Sequence, residues 1–285
     1  MMKKTKGGRT MLPRVYVEIT NICNMRCSFC HGHSRVPMRM TRDGFEAILR
    51  RLQGQTRHLY FHLMGEPLTH PELPLFLGLA KAAGFRCILT TNGTLLPQMG
   101  EAVLAAQPHK VSISLHSFEG GGEAAFRAYL TKTADFAARA AEQGTIAVLR
   151  LWNRGVDPAG NDLAHTFLRA HLPGDWVPNT RGFRIRDKLF LEWGDRFAWP
   201  DKAAPVLGGS VYCHALRDQV GILADGTVVP CCMDSDGVIA LGNVFSCPLP
   251  EILSSPRAQA MTQGFAHRRA SEDLCRRCSY AQRFL

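Results

Sequence analysis

The chain has 285 residues and no apolar run near the ~18 residues that a membrane span requires. Its opening residues, MMKKTKGGRTMLPR, are basic and lack the apolar stretch of a secretory signal, so a cytoplasmic protein without a membrane partner is expected. Internal repeats and low-complexity tracts are absent, as are zinc-finger spacing and an aromatic-interleaved RNA motif. The net charge of +10 could steer an acidic substrate, peptide or nucleic acid, but no nucleic-acid partner is expected without such a motif. Cysteine is scarce through the middle, where only Cys87 lies between Cys30 and Cys213. In a protein without an export signal, the ten cysteines do not imply a disulfide framework.

What is present lies at the two ends. Cys23, Cys27 and Cys30 form a CxxxCxxC trio, and Cys213, Cys231, Cys232, Cys247, Cys275 and Cys278 fall in the last part of the chain. Between them the hydrophobic period alternates. VYVEIT (15–20), HLYFHLM (58–64), FRCILT (85–90), KVSISLH (110–116), TIAVLRLW (145–152) and FRIR (183–186) have strand character. Residues 41–54, 70–84, 95–107, 123–143 and 160–171 carry helical spacing, two of these stretches being stopped by Gly84 and Gly144. Six strands alternating with five helices predict right-handed crossovers and a parallel sheet, either open and doubly wound or a partial barrel. In both, chemistry gathers at the C-terminal ends of the strands.

Residues 192–209 have no clear period and suggest a linker. VGILADGTVVPCC (220–232) is a hairpin turned at Asp225–Gly226, and 248–265 suggests a short helix. The expected division is a basic tail (1–14), a core (15–187) and a linker with a C-terminal metal domain (188–285).

The trio follows the first strand directly. Three thiolates are one short of a closed tetrahedral site. One possibility is zinc completed by a further residue such as His31 or His33. The other is an iron–sulfur cube whose fourth iron keeps an open position, the mark of catalytic metal sites. Met64-Gly65-Glu66-Pro67 ends the second strand, Thr90-Thr91-Asn92-Gly93 the third, and SISLHS (112–117) forms the fourth. Alone, each could be an ordinary strand-to-turn exit.

Together these elements, in this order, resemble the signature of radical S-adenosylmethionine (radical SAM) enzymes over residues 15 to 152. The resemblance implies a partial (β/α)6 TIM-like barrel and a SAM-cleaving [4Fe-4S] cluster on Cys23, Cys27 and Cys30. S-adenosylmethionine would chelate the open iron. It implies that Phe29 packs near the adenine, that Gly65, Glu66 and Pro67 receive the methionyl ammonium, and that Ser114 reaches the ribose and carboxylate. Asn92 corresponds to the TNG turn, and Arg150 could pair with the methionyl carboxylate. Met64 departs from the family's GGEP, leaving Gly-Glu-Pro intact.

Cys213, Cys231, Cys275 and Cys278, with the hairpin and LGNV (241–244), resemble the SPASM or twitch extension. With seven residues after Cys278, the shorter twitch-like form is expected: a small hairpin-plus-helix domain holding one auxiliary [4Fe-4S] cluster. Four thiolates also suit zinc. Cys232 could substitute for Cys231, while Cys247 and Cys87 are expected to be ordinary small residues. The expected activity is oxidation of a peptide or protein through a 5′-deoxyadenosyl radical, with an external flavodoxin- or ferredoxin-type electron donor. The alternatives are a small-molecule (amino-sugar or alcohol) dehydrogenase and a non-catalytic zinc-thiolate protein that binds nucleic acid. No catalytic acid or base is assigned.

Overall fold

The computed structural model describes residues 11–208 and 210–284, so most of the basic tail (1–10) lies outside the described residues. In chain order the strands are β1 (Arg14–Val17), β2 (His58–Tyr60), β3 (Arg86–Thr91), β4 (Lys110–Ser114), β5 (Ile146–Arg154), β6 (Val177–Asn179), β7 (Gly182–Arg186), β8 (Leu189–Asp195), β9 (Gln219–Ile222), β10 (Thr227–Val229) and β11 (Gly242–Asn243). The α-helices are α1 (Arg42–Leu52), α2 (Leu73–Ala82), α3 (Leu96–Ala106), α4 (Gly122–Glu142), α5 (Pro158–His171), α6 (Leu249–Leu253), α7 (Pro256–Ala266) and α8 (Asp273–Arg276). The chain divides into two compact units. One holds the segments up to Gly65, Ala82–Arg86 and from Phe197 onward; the other holds Glu66–Lys81 and Cys87–Arg196.

In the first unit β1 pairs in parallel with both β2 and β9, and β9, β10 and β11 continue as an antiparallel ladder. The expected hairpin forms at Asp225–Gly226, with Gly226 at φ +84° and Leu223 N donating to Thr227 O at 2.8 Å. All four residues of β9 are buried, because the hairpin is zipped onto β1 along its whole length. Helix α1 starts at Thr41, whose hydroxyl accepts from Gly44 N, and buries Phe45, Ile48, Leu49 and Leu52. Phe45 meets Phe61 at 5.6 Å between ring centroids.

In the second unit β3, β4, β5 and β8 run parallel, followed by antiparallel β7 and β6. The FRIR segment expected as the sixth parallel strand is instead antiparallel β7; the parallel strand is β8. Only Asp187 and Lys188 join the two, with Lys188 at φ +56°. A two-residue link can close a hairpin but not a parallel crossover, which needs about a dozen residues. Leu189 and Leu191 are fully buried in β8, against Ile185 alone in the Arg-rich β7. The C-terminal helix expected over 248–265 is two helices, because Pro256 starts α7 behind a Ser255 cap.

Candidate metal centres

The cysteine trio sits on an irregular segment whose two ends are stapled together. Asn21 N and Thr20 Oγ1 donate to Met38 O at 3.2 and 3.0 Å. The Asn21 side chain donates to Val36 O at 2.9 Å and accepts from Met38 N at 2.7 Å. The loop between carries Cys23 and Cys30 exposed, with Cys27 and Phe29 partly covered. Cys30 N donates to Cys27 O at 3.1 Å, and Met25 N points at Cys23 Sγ at 3.5 Å, an amide aimed at a thiolate position. His33 Nε2 donates to Asn21 O at 2.8 Å, and His31 Nδ1 lies 4.0 Å from Asp201. Among the described residues no three His, Cys, Asp or Glu groups converge on a point where one metal ion could sit. Cube ligands each take a separate iron and need not converge.

Below this loop lies an ion pair that the sequence motifs did not indicate. Glu18, fully buried, accepts from both terminal nitrogens of Arg35 at 2.7 Å. Its two oxygens also accept from Ala224 N and Met64 N, each at 3.2 Å. Arg35 Nε donates to Ser235 O at 2.8 Å, and Ser34 donates to Asp236 through both its amide and its hydroxyl. One carboxylate thus joins the end of β1, the cysteine loop, the residue before Gly65 and the segment after Cys231. The only sequence signal was a glutamate in a strand otherwise suited to burial.

Gly65 has φ +75°, and a Cβ there would stand 2.5 Å from Thr20 O and 2.8 Å from the Asn21 carbonyl carbon. The glycine lets this turn press against the start of the cysteine loop. Gly65→Ala is therefore expected to cost at least ~2 kcal/mol, read as a lower urea midpoint. An unchanged midpoint would mean that the approach is looser than described.

Glu66 is also buried. Its Oε1 accepts from Leu68 N (3.0 Å) and Thr91 Oγ1 (2.7 Å), and its Oε2 from Asn92 N (2.7 Å). Burial pushes its carboxyl up to about 7, against the downward pull of these donors. Its oxygens hold the TNG turn in place. Pro67 begins a 3-10 turn, Tyr129 OH donates to Asn92 O at 2.7 Å, and the Asn92 side-chain oxygen accepts from Thr94 N and Oγ1.

Ser114 and Arg150 are register partners on β4 and β5. The Arg150 guanidinium lies 4.7 Å from the Trp152 ring centre and 4.0 Å from Glu192. His116 Nδ1 is 3.2 Å from Arg150 O; burial first, with Arg150 and Arg196 adding, lowers its imidazole to about 4, so it is neutral near pH 7.

Cys213, Cys231, Cys275 and Cys278 line one cavity together with Asp234 and apolar residues such as Val211, Pro230, Met233 and Leu274. Burial raises all four thiols, and in Cys213, Cys231 and Cys275 neighbouring cysteines raise them further. Four thiols facing one space cannot all ionise without a cation; since no three of them converge on a single ion, the set suits an iron–sulfur cluster, whose cysteines each take a separate iron, better than one zinc. Cys232 is not among the lining residues; it pairs instead with Tyr16, whose hydroxyl lowers it while burial raises it to about 11. Cys247 Sγ is directed at Glu251 and Pro248 O, and Cys87 is buried beneath Leu77 O.

Residues 17–144 match the radical SAM superfamily, and residues 213–279 match SPASM, an iron–sulfur cluster-binding domain. The chain carries a radical SAM domain followed by a SPASM-type domain. It is 31% identical over 116 residues to a GTP 3′,8-cyclase of Chlorobaculum tepidum, covering 39% of this chain and 35% of that protein. It is 33% identical over 111 residues to an AdoMet-dependent heme synthase of Methanosarcina barkeri, covering 37% and 32%. The matches thus span about a third of these relatives' lengths.

BtrN in complex with AdoMet and 2-DOIA superposes with a TM-score of 0.61 at 16% identity, over 94% of this chain and 93% of that one. Streptococcus suis SuiB bound to S-adenosylmethionine gives 0.62 at 16%, over 95% and 73%. These likenesses carry the fold: an α/β, partial TIM-like radical SAM barrel with a C-terminal iron–sulfur domain. No helix among the described residues is long and apolar enough to cross a membrane.

Proposed function

We propose that this radical SAM protein is an oxidising enzyme with one SAM-cleaving and one auxiliary [4Fe-4S] cluster, acting on a peptide or protein. Cys23, Cys27 and Cys30 would hold the first cluster, and Cys213, Cys231, Cys275 and Cys278 the second. Bound there, the first would supply the electron that splits S-adenosylmethionine into methionine and a 5′-deoxyadenosyl radical. The second would take up the electron left on the substrate after hydrogen abstraction. An external flavodoxin- or ferredoxin-type protein would supply the reducing electron.

The chain's own residues position these parts. Gly65 allows the close turn, and Glu66 acts by fixing Thr91 and Asn92, so that the backbone of Gly65–Pro67 is what it offers the methionyl ammonium. Phe29 would cover the adenine, and Ser114 and Arg150 would reach the ribose and carboxylate. The observation that carries this reading is the contrast between two thiol sets. Four cysteines line one mostly apolar cavity, whereas three occupy a loop on which Cys23 and Cys30 are exposed. The four-cysteine set would close its cluster with protein ligands alone, and the three-cysteine set would leave a position for an exchangeable ligand.

Anaerobic purification followed by dithionite and S-adenosylmethionine tests it. A brown protein with about eight irons, four per cluster, that releases 5′-deoxyadenosine is the expected result. A colourless zinc protein, or an iron-loaded one that releases none, overturns the assignment.

A further inference from the structure

The strands of the second unit have two unlike faces. On β4, Val111 and Ile113 are buried, and Ile113 lies where Gly93 and Thr133 of α4 converge, so this face is turned to the helices. Lys110, Ser112 and Ser114 alternate onto the other face. The parallel register sets Thr90 of β3 opposite Ser112, Arg150 of β5 opposite Ser114, and Glu192 of β8 opposite Arg150. A face buried only for packing would be apolar; this one carries two cations, one carboxylate and three hydroxyls.

Two features of that face lack their complement. Ser112 is fully buried, and its hydroxyl has no hydrogen-bond partner; the buried Thr90 hydroxyl opposite it has none either. A buried hydroxyl without a partner costs free energy that a ligand acceptor would recover. The second feature is charge. Lys110 is half-buried and forms no ion pair among the described residues, while Glu192 lies against Arg150. The charges acting on Lys110 are Arg150 and Arg181 against the single Glu192, and burial with this positive excess lowers its ammonium. Hydroxyl donors and an uncompensated cation on one face call for the same thing, an anion.

We propose that this face is a subsite for an anionic group of the substrate, a carboxylate or a phosphate, held by Lys110 with Ser112 and Thr90 as hydroxyl donors. It rests on the function proposed above for the word substrate alone; anion binding can be measured without turnover.

The test uses the full chain with its lysines reductively dimethylated with 13C, and Lys110→Arg to assign the Lys110 resonance. Inorganic phosphate and succinate are titrated separately while the pH dependence of each lysine signal is followed. The expected result is saturable movement of the Lys110 signal with at least one anion, its midpoint rising by about one pH unit or more. The exposed Lys132 and Lys202 should show only common drift. Response to succinate alone assigns a carboxylate, and response to phosphate alone a phosphate. Ser112→Ala should weaken the binding about fivefold or more without lowering the melting temperature, since it removes an unpaired hydroxyl. No Lys110 response to either anion, or one that Ser112→Ala leaves unchanged, overturns the subsite. Because 5′-deoxyadenosine release is scored separately, failure here leaves the radical SAM assignment standing, and the reverse also holds.

Discussion

Arg35→Met is expected to destabilise the protein by about 3–5 kcal/mol, the range for breaking a buried pair by removing one partner. Glu18 is wholly buried, and the Arg35 fork supplies the only charge that balances it in the hydrogen bonds described. Without that fork the carboxylate keeps the amides of Met64 and Ala224 but loses its counter-charge. The variant should therefore unfold at a markedly lower urea concentration. Its cysteine loop, residues 18–40, should exchange amide hydrogens faster than the wild type. Adding Glu18→Gln to Arg35→Met should recover part of the loss, because the uncompensated charge is gone. If Arg35→Met alone unfolds within 1 kcal/mol of wild type (roughly the value of an exposed pair), Glu18 is not held as described.

The second large effect separates the two thiol sets. Cys27→Ala should lose about four irons and all 5′-deoxyadenosine release. Cys275→Ala should also lose about four, yet keep part of its S-adenosylmethionine cleavage while substrate turnover stops. Cys232→Ala should retain the full iron content, because Cys232 lies against Tyr16 rather than in the cavity lined by Cys231. Iron analysis and product chromatography on the three variants decide the matter. Normal substrate turnover by Cys275→Ala would remove the electron-acceptor role. A loss of iron in Cys232→Ala equal to that in Cys231→Ala would place both thiols at the cluster.

The strength of the sequence signal depended on how local its cause was. Helices α1 and α4 were legible because the apolar period of α1 and the glycine that stops α4, Gly144, act within a few turns of chain. The Asp225–Gly226 hairpin was legible because a two-residue turn sets its own geometry. FRIR was misplaced because its direction is decided by the two-residue link to β8, not by its composition. Glu66 was marked as a cofactor residue by its motif, yet what its oxygens hold, Thr91 and Asn92, lies some 25 positions further on. Nothing local could have indicated that partner.

The sequence by itself determined the residue types and spacings that carry chemistry: three thiols after a strand, Gly-Glu-Pro, the TNG turn, and four thiols near the end of the chain. It also set the alternation of strands and helices that makes the core strands parallel. Tertiary structure decided which thiols share a space. Cys213, Cys231, Cys275 and Cys278 face one cavity and Cys232 does not, though Cys231 and Cys232 are neighbours in the chain. It also decided that Glu18 and Arg35 pair, and that β9 zips onto β1. The reason is the same in each case. Spacing along a chain records local geometry, whereas the pairing of distant groups follows from which charges and apolar faces must be buried together.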